Sequence, residues 1–455
     1  MRATPKRLQR KLEIFLGRLP TNVANRIKEI LSDPDNYQTM ALWASALVAA
    51  LVSVGYAKLF HLAELGFHSL LNRHQYWILL ISPILFILAW FLVRKYSPEA
   101  AGSGIPQIMA ANEIDYVGDN RILVDRLLSL RTAAVKIGSS LLCVLGGGAI
   151  GREGPTLQIC ASIFHYFGQK VRRFAPKTGE HTWVVAGAAA GLASAFNTPL
   201  GGIVYAIEEL GLVHFHKIRT ALISGVIVSG LVAQWILGSY LYLGYPQLTT
   251  VGFAFLPIAI LNGAITGQLG ALFGKVLFHL MNRRLAIVKL SHLTLATGIC
   301  GVIMAGLALL NHYSSGPGTS MINSFLFHGA SPEPGLMALR FGGSIISYLS
   351  GAAGGIFSPS LAIGGTIGSY LSSFIGTDHG NLMVLLGMIG FLTGVTRTPF
   401  TSFILVLEMT DRHSAIFPMM IAALTAHWTS RLIDSHSFYE HVKQRYLVGI
   451  KSAKN

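Results

Sequence analysis

Charge is what this chain lacks. Of its 455 residues only 12% are Asp, Glu, Lys or Arg, 52% are hydrophobic, and the mean hydropathy is +0.54. So little charge at this length excludes an ordinary soluble domain and leaves a polytopic membrane protein. Cysteine is scarce as well. Cys143, Cys160 and Cys300 lie in apolar runs without metal-ligand spacing, so they read as small packing residues and no disulfide framework or metal centre is expected. The chain holds 16 histidines but no HExxH and no serine-histidine arrangement on a common helix, which argues against an intramembrane enzyme. The basic stretch Arg2 to Lys28 has no apolar core and is therefore no signal peptide; residues 1–38 read as an amphipathic cytoplasmic surface helix. After residue 440 only a short cytoplasmic tail, 441–455, is expected, with no soluble regulatory domain.

Apolar runs long enough to cross a bilayer do occur, at Met40 to Tyr56, Trp77 to Val93, Ala221 to Leu237 and Leu293 to Leu310. Shorter pieces punctuated by glycine lie between them. Such pieces are tolerated only where their free backbone groups face protein or a water-filled cavity, as in the interior of a transporter or channel. The net charge of +15 does not point to nucleic acid, because its distribution follows the positive-inside rule. Lys and Arg cluster in the N-terminus, in loops at Lys170 to Lys177, Lys217 to Arg219 and Arg283 to Lys289, and after Lys443. The stretches Gly238 to Thr250, Asn311 to Leu339 and Ser372 to Met383 read as external loops without them. The basic set and both termini are placed in the cytoplasm.

Aligned on itself, the chain shows two matched blocks. Lys136 stands fifteen residues before Gly151-Arg152-Glu153-Gly154-Pro155, as Arg340 does before Gly355-Ile356-Phe357-Ser358-Pro359. Further on, Gly187, Thr198-Pro199 and Glu208 answer Gly387, Thr398-Pro399 and Glu408 at a constant offset. The halves are residues 39–220 and 251–440, joined by a connecting helix and external loop at 221–250. The helix after Pro155 exits into a basic loop and the helix after Pro359 into a loop without Lys or Arg, so the exits lie on opposite sides of the membrane. That pattern marks an inverted-topology repeat whose interrupted helices meet near the midplane.

In each break glycine permits the interruption and proline fits the first helical turn. Helix N-termini carry free N–H groups and about half a positive charge, so several converging on one point make an anion site, or else the glycines serve close helix packing. Lys136 and Arg340 add positive potential. Glu208 and Glu408 occur in both halves and belong to the scaffold, whereas Glu153 is matched by Phe357 and Glu209 by Met409. A carboxylate at membrane depth is costly and is a functional candidate by default. Glu209 is either such a group or a surface carboxylate paired with the following basic loop. A third break, Gly102-Ser103-Gly104-Ile105-Pro106, offers a hydroxyl at a helix start, either as an N-cap or as a donor to an anion. Tyr439, after the last apolar run, opens a short amphipathic helix.

These three Gly-rich segments, in this order, resemble the signature segments of the CLC family of chloride channels and proton/chloride antiporters, over nearly the full length and in the form without cytoplasmic CBS domains. The resemblance implies an all-α polytopic fold of many tilted and interrupted helices built from two inverted-topology repeats. It implies an anion site formed by Ser103, Tyr439 and the backbone amides of Ile356 and Phe357. Gating and proton transfer would fall to Glu153, an outer gate that occupies an anion position until protonated, and to Glu209, an internal proton glutamate that family channels usually lack. Gly151, Arg152, Gly154, Lys136 and Arg340 would support them. Gln107 stands where many members carry glutamate. The expected function is exchange of chloride for protons across a bacterial inner membrane by a homodimer with one pathway per subunit, without cofactor, metal or nucleic acid. The alternative is a passive voltage- or pH-gated chloride channel on the same fold.

Overall fold

The computed structural model describes residue 20 and residues 34–114, 119–172, 179–210, 215–238, 241–248 and 252–453. The surface helix expected over 1–38 falls almost wholly outside the described residues. In chain order the helices are α1 (Pro34–Arg73), α2 (Ile78–Tyr96), α3 (Ile105–Glu113), α4 (Asp119–Leu127), α5 (Leu130–Leu145), α6 (Glu153–Val171), α7 (Glu180–Phe196), α8 (Pro199–Glu208) and α9 (Phe215–Leu237). They continue with α10 (Leu256–Leu285), α11 (Leu290–Leu310), α12 (Thr319–His328), α13 (Leu336–Leu349), α14 (Phe357–Ile375), α15 (Gly380–Thr396), α16 (Pro399–Thr410), α17 (Ile416–Ser430) and α18 (Phe438–Ala453). Among the described residues there is no β-strand, only two isolated bridges. The segments Tyr37–Arg73, Gln75–Tyr96, Asn120–Leu145, Phe253–Leu285 and Leu290–Leu310 are long and apolar enough to cross a membrane. Apolar side chains also cover the outside, as the exposed stripe Leu80, Ile84, Leu88 and Phe91 on α2 shows; lipid is the solvent for such a face.

The expected two-fold repeat is present in the packing. Helix α6 lies on α7 as α14 lies on α15, α1 contacts α7 and α9 as α10 contacts α15 and α17, and α3 meets α6 as α12 meets α14. Equivalent helices also touch each other, α2 with α11 and α8 with α16, so the pseudo-two-fold axis passes between them. A two-fold contact is reciprocal by necessity, residue i on j and j on i. That rule is obeyed at the ends of α8 and α16. Glu208 accepts from the amides of Phe400 and Thr401 at 3.0 and 2.7 Å, and Glu408 accepts from those of Leu200 and Gly201 at 3.0 and 2.7 Å. Each carboxylate caps the other repeat's helix, where free N–H groups and the helix dipole favour negative charge. The residues before the caps match too, Asn197 at φ 57° and Arg397 at φ 67°.

Three expectations change. Helix α9, read as a connector from residue 221, packs against α7 and α1 as α17 packs against α15 and α10, so it closes the first repeat. Lys217 to Arg219, read as a loop, lie in the first two turns of α9. The stretch Asn311 to Leu339, read as an external loop, contains α12, whose Met321, Ile322, Phe325 and Leu326 are buried. Polarity and the missing Lys and Arg mimic a loop there, but a short helix buried at its apolar face needs no long hydrophobic run. Beyond residue 440 the chain continues as α18, which lies against α3. Lys443 fixes this contact, its Nζ standing 2.7 Å from Glu113 Oε2 and 2.8 Å from Glu440 Oε2.

Reciprocal capping predicts symmetric costs. Glu208→Ala and Glu408→Ala should each destabilise the protein by about 2 kcal/mol, the usual scale for charge-assisted hydrogen bonds. Glu208→Gln should recover part of the loss, since an amide oxygen still accepts. Thermal unfolding in detergent followed by size exclusion measures both; a neutral alanine variant would remove the caps from the scaffold.

Candidate anion and proton site

The three Gly-rich breaks are stitched together by main-chain hydrogen bonds, and the 352–355 segment is the centre of the set. Gly151 N donates to Gly355 O at 2.7 Å and Gly355 N to Gly151 O at 2.8 Å. Gly102 N donates to Ala352 O and Gly354 N to Gly102 O, both at 3.0 Å. Serines of one repeat accept from amides of the other: Ala149 N reaches Ser347 Oγ at 2.8 Å, and Ala353 N reaches Ser139 Oγ at 3.0 Å. Buried Lys136 donates from Nζ to Gly102 O at 2.8 Å. Extended backbone that would otherwise be unpaired inside the membrane is thereby satisfied.

These bonds hold the starts of α3, α6 and α14 together while leaving their first amides free. Among the described residues the N–H groups of Ile356 and Phe357 meet no acceptor; both residues are buried. Ser103 and Tyr439 are each 1% exposed, and Ser103 Oγ and Tyr439 Oη have no hydrogen-bond partner. They face one another, and Tyr439 lies within electrostatic reach of both Glu153 and Glu209. Glycine is required at Gly154, where a Cβ would run into Ser103 Oγ and the Ser103 main-chain carbonyl; at Gly151 a Cβ would displace the Glu153 carboxylate. Gly104 precedes α3 at φ 102°, in the left-handed region. Ser103 Oγ makes no hydrogen bond and so caps no helix, which leaves its hydroxyl for another acceptor.

Glu153 is the first residue of α6 and is 1% exposed; neither carboxylate oxygen has a hydrogen-bond partner. Leaving an ionised carboxylate buried in this way costs several kcal/mol unless charge or dipoles compensate. It closes the bottom of a cavity of about 490 Å³ lined also by Lys58, His61, Glu64, Arg152 and Tyr242. Arg152 donates from Nη1 to Ala57 O at 3.2 Å, and its guanidinium stands 6.0 Å from the Tyr242 ring.

Glu209 follows α8, and its Oε1 is buried without a hydrogen-bond partner. It opens on a separate cavity of about 260 Å³, shared with Arg397, Arg431, His436 and Glu440. A third cavity, about 310 Å³, reaches Gly102 past Arg284, Arg445, Tyr348 and Tyr446. Gln107 borders it and donates to the carbonyls of Glu99 and Ala101 at 3.1 and 2.8 Å, bonds that a carboxylate could not make.

Two features escaped the sequence reading. One is a fourth break, Gly316-Pro317-Gly318, at the start of α12. Its glycines have φ 65° and 91° against 63° and 102° at Gly102 and Gly104. Arg340 donates to Ser315 O and Gly316 O at 2.9 and 3.0 Å, as Lys136 donates to Gly102 O. Arg340 therefore serves this break, near Glu64, and only Lys136 adjoins the Ser103 segment. The available signal was the Gly-x-Gly before an apolar stretch. The second is Tyr205, buried with an unpartnered hydroxyl, within electrostatic reach of Glu209 and Tyr439. Its signal was the i, i+4 spacing to Glu209, which puts both on one helix face.

The fold and the site define a helical membrane protein that gathers helix N-termini, with unspent amides and buried hydroxyls beside them, at one place in its interior. Residues 85–431, more than half of the chain, match the family model described as voltage gated chloride channel, and the chain belongs to that family of ion channels and transporters. A slow cyanobacterial Cl⁻/H⁺ antiporter is similar in structure, with a TM-score of 0.80, 23% identity, and 90% of this chain and 97% of that one covered. A eukaryotic CLC transporter gives 0.75 at 22% identity over 89% and 73% of the two chains. A CLC-type fluoride/proton antiporter gives 0.70 at 22% identity over 89% and 98%. At these identities the likeness concerns the fold.

The close approach at Gly154 is testable. Gly154→Ala should push Ser103 aside at a cost of about 1–3 kcal/mol, the range for overpacking. Chloride binding followed by titration calorimetry should weaken with it, and unchanged binding would detach Ser103 from the anion.

Proposed function

We propose that the protein exchanges chloride for protons. The observation that carries this reading is the separation of the two inner cavities: one reaches Gly102 beside Ser103, past Arg284 and Arg445, and the other reaches Glu209. A passive anion pathway needs the first and has no use for a buried carboxylate at the end of the second. Beyond them a cavity of about 490 Å³ ends at Glu153 and serves here as the outer stretch that the two ions share.

In this mechanism chloride is held by the free amides of Ile356 and Phe357 and by the hydroxyls of Ser103 and Tyr439. Ionised Glu153 competes with chloride for the positive end of the helices and blocks the outer path. Protonated, it loses that attraction, swings toward the outer cavity and lets the anion pass. Glu209 gives or takes the proton at the inner side, with Tyr439 close enough to feel both carboxylates and Tyr205 close enough to feel Glu209. Gly151 and Gly154 give Glu153 and Ser103 their room, while Lys136, Arg152 and Arg340 set the surrounding positive potential. The same reading includes a homodimer in the bacterial inner membrane with the basic segments and both termini in the cytoplasm.

Reversal potentials in liposomes under opposed chloride and pH gradients test the coupling. The expected value lies away from the chloride potential and moves with pH; a value that tracks chloride alone would make the protein a channel. Glu153→Ala should leave chloride flux that is insensitive to pH and carries no protons. Glu209→Gln should abolish proton movement while chloride flux persists, and protons that still move would assign the role to another group. Ser103→Pro, which removes the hydroxyl offered to the anion, should change the selectivity between chloride and nitrate.

A further inference from the structure

Asp434, His436 and His441 take no part in the transport reading, yet their candidate ligand atoms all lie within 4.8 Å of one another. His441 Nε2 stands 3.1 Å from both Asp434 Oδ1 and Oδ2. Its ring is stacked on Phe278 with centroids 4.8 Å apart and planes at 20°, which fixes the direction of that nitrogen. The His436 ring is 5.5 Å away, and its Nδ1 lies 2.8 Å from Ser435 Oγ, which leaves Nε2 for another partner. Metal-bound imidazoles are usually oriented in this way, by a hydrogen bond on the other ring nitrogen. Nearby Arg397 directs Nη2 to the main-chain carbonyls of Ser430 and Asp434 at 3.0 and 2.9 Å. The Asp434 carboxylate thereby makes no bond to Arg397; its Oδ1 accepts from the His436 main-chain N–H at 3.1 Å, and Oδ2 meets only His441.

We propose that Asp434, His436 and His441 bind a divalent transition cation of the zinc type. Two imidazoles and one carboxylate make a recurrent zinc donor set with a fourth position open to water. Ligand atoms at zinc bond lengths stand about 3.3 Å apart. Asp434 and His441 already meet that spacing, and exposed His436 can close the remainder by side-chain rotation. Calcium and magnesium, which prefer all-oxygen shells, do not suit these donors.

The location gives the cation something to act on. Tyr439 lies between ligands His436 and His441 in the chain, and His436 lines the cavity onto which Glu209 opens. A bound cation clamps the turn that carries Tyr439 and sets two positive charges at the mouth of that cavity, opposing proton arrival at Glu209. Cation binding stands independently of the antiport reading; this inhibition rests on it.

The test uses full-length protein without a polyhistidine tag, titrated in detergent with Co²⁺ as a spectroscopic stand-in. The expected result is a visible ligand-field band saturating at one equivalent per chain and bleached by Zn²⁺. His436→Ala should weaken Co²⁺ binding at least tenfold, the lower bound for disturbing a ligand's surroundings, and His441→Gln should abolish the band. Size exclusion checks that each variant is folded; the exposed position of His436 keeps that variant informative should His441→Gln fail. No band, or the same affinity in wild type and His436→Ala, overturns the site. In liposomes, Zn²⁺ on the Glu209 side should slow both fluxes in wild type and leave those of His436→Ala unaltered. Binding without slowing overturns the inhibitory role alone, whereas absent proton coupling in zinc-free liposomes overturns the antiport reading and leaves the site standing.

Discussion

The exchange of two hydrogen bonds between Gly151 and Gly355 is the contact on which the molecule turns. It lies where the pseudo-two-fold axis must pass, because two equivalent residues bond each other reciprocally only there. Both positions need backbone at close quarters, and the space beside each is taken by neighbouring atoms. Once this pair is made, the starts of α6 and α14 are brought together with their amides unspent. The second pairing, between Gly102 and the 352–354 segment, brings in the start of α3 and with it Ser103. The gathering of the three helix starts is thus a by-product of satisfying broken backbone inside a membrane.

Symmetry builds the frame, and departures from symmetry make its halves unequal. Glu208 and Glu408 do one job twice. Their neighbours differ: Glu209 faces a polar cavity, while Met409 is part of the apolar core. Likewise Glu153 and Phe357 open equivalent helices, one with a charge at the floor of the outer cavity and one packed at 5.7 Å from the Phe196 ring. Two single carboxylates in a doubled frame are enough to make its two faces chemically different.

Much of this was legible in the sequence because the repeat is written in glycine and proline, residues whose backbone roles are narrow. The matched blocks predicted the inverted halves, and the scaffold role of Glu208 and Glu408 followed from their offset. What stayed hidden had physical reasons. Gly316-Pro317-Gly318 keeps the dihedral angles of the Ser103 break but not its side chain, so a comparison of letters passes over it. Arg340 was paired correctly with Lys136 by position, yet what it touches depends on that unrecognised break. Helix α9 looked like a connector because its resemblance to α17 lies in packing and not in residues. Tyr205 sits on an apolar helix, where a tyrosine has no local mark until Tyr439 arrives from the far end of the chain.

The mutual caps of α8 and α16 carry one more consequence. Many inverted-repeat transporters alternate access by rocking one half against the other. Here that motion would have to pull Glu208 from the amides of Phe400 and Thr401 and Glu408 from those of Leu200 and Gly201, and part the glycine pair as well. The halves are latched at both stations, so rocking one against the other would break the caps and the glycine pair together and strip buried carboxylates and amides of their partners.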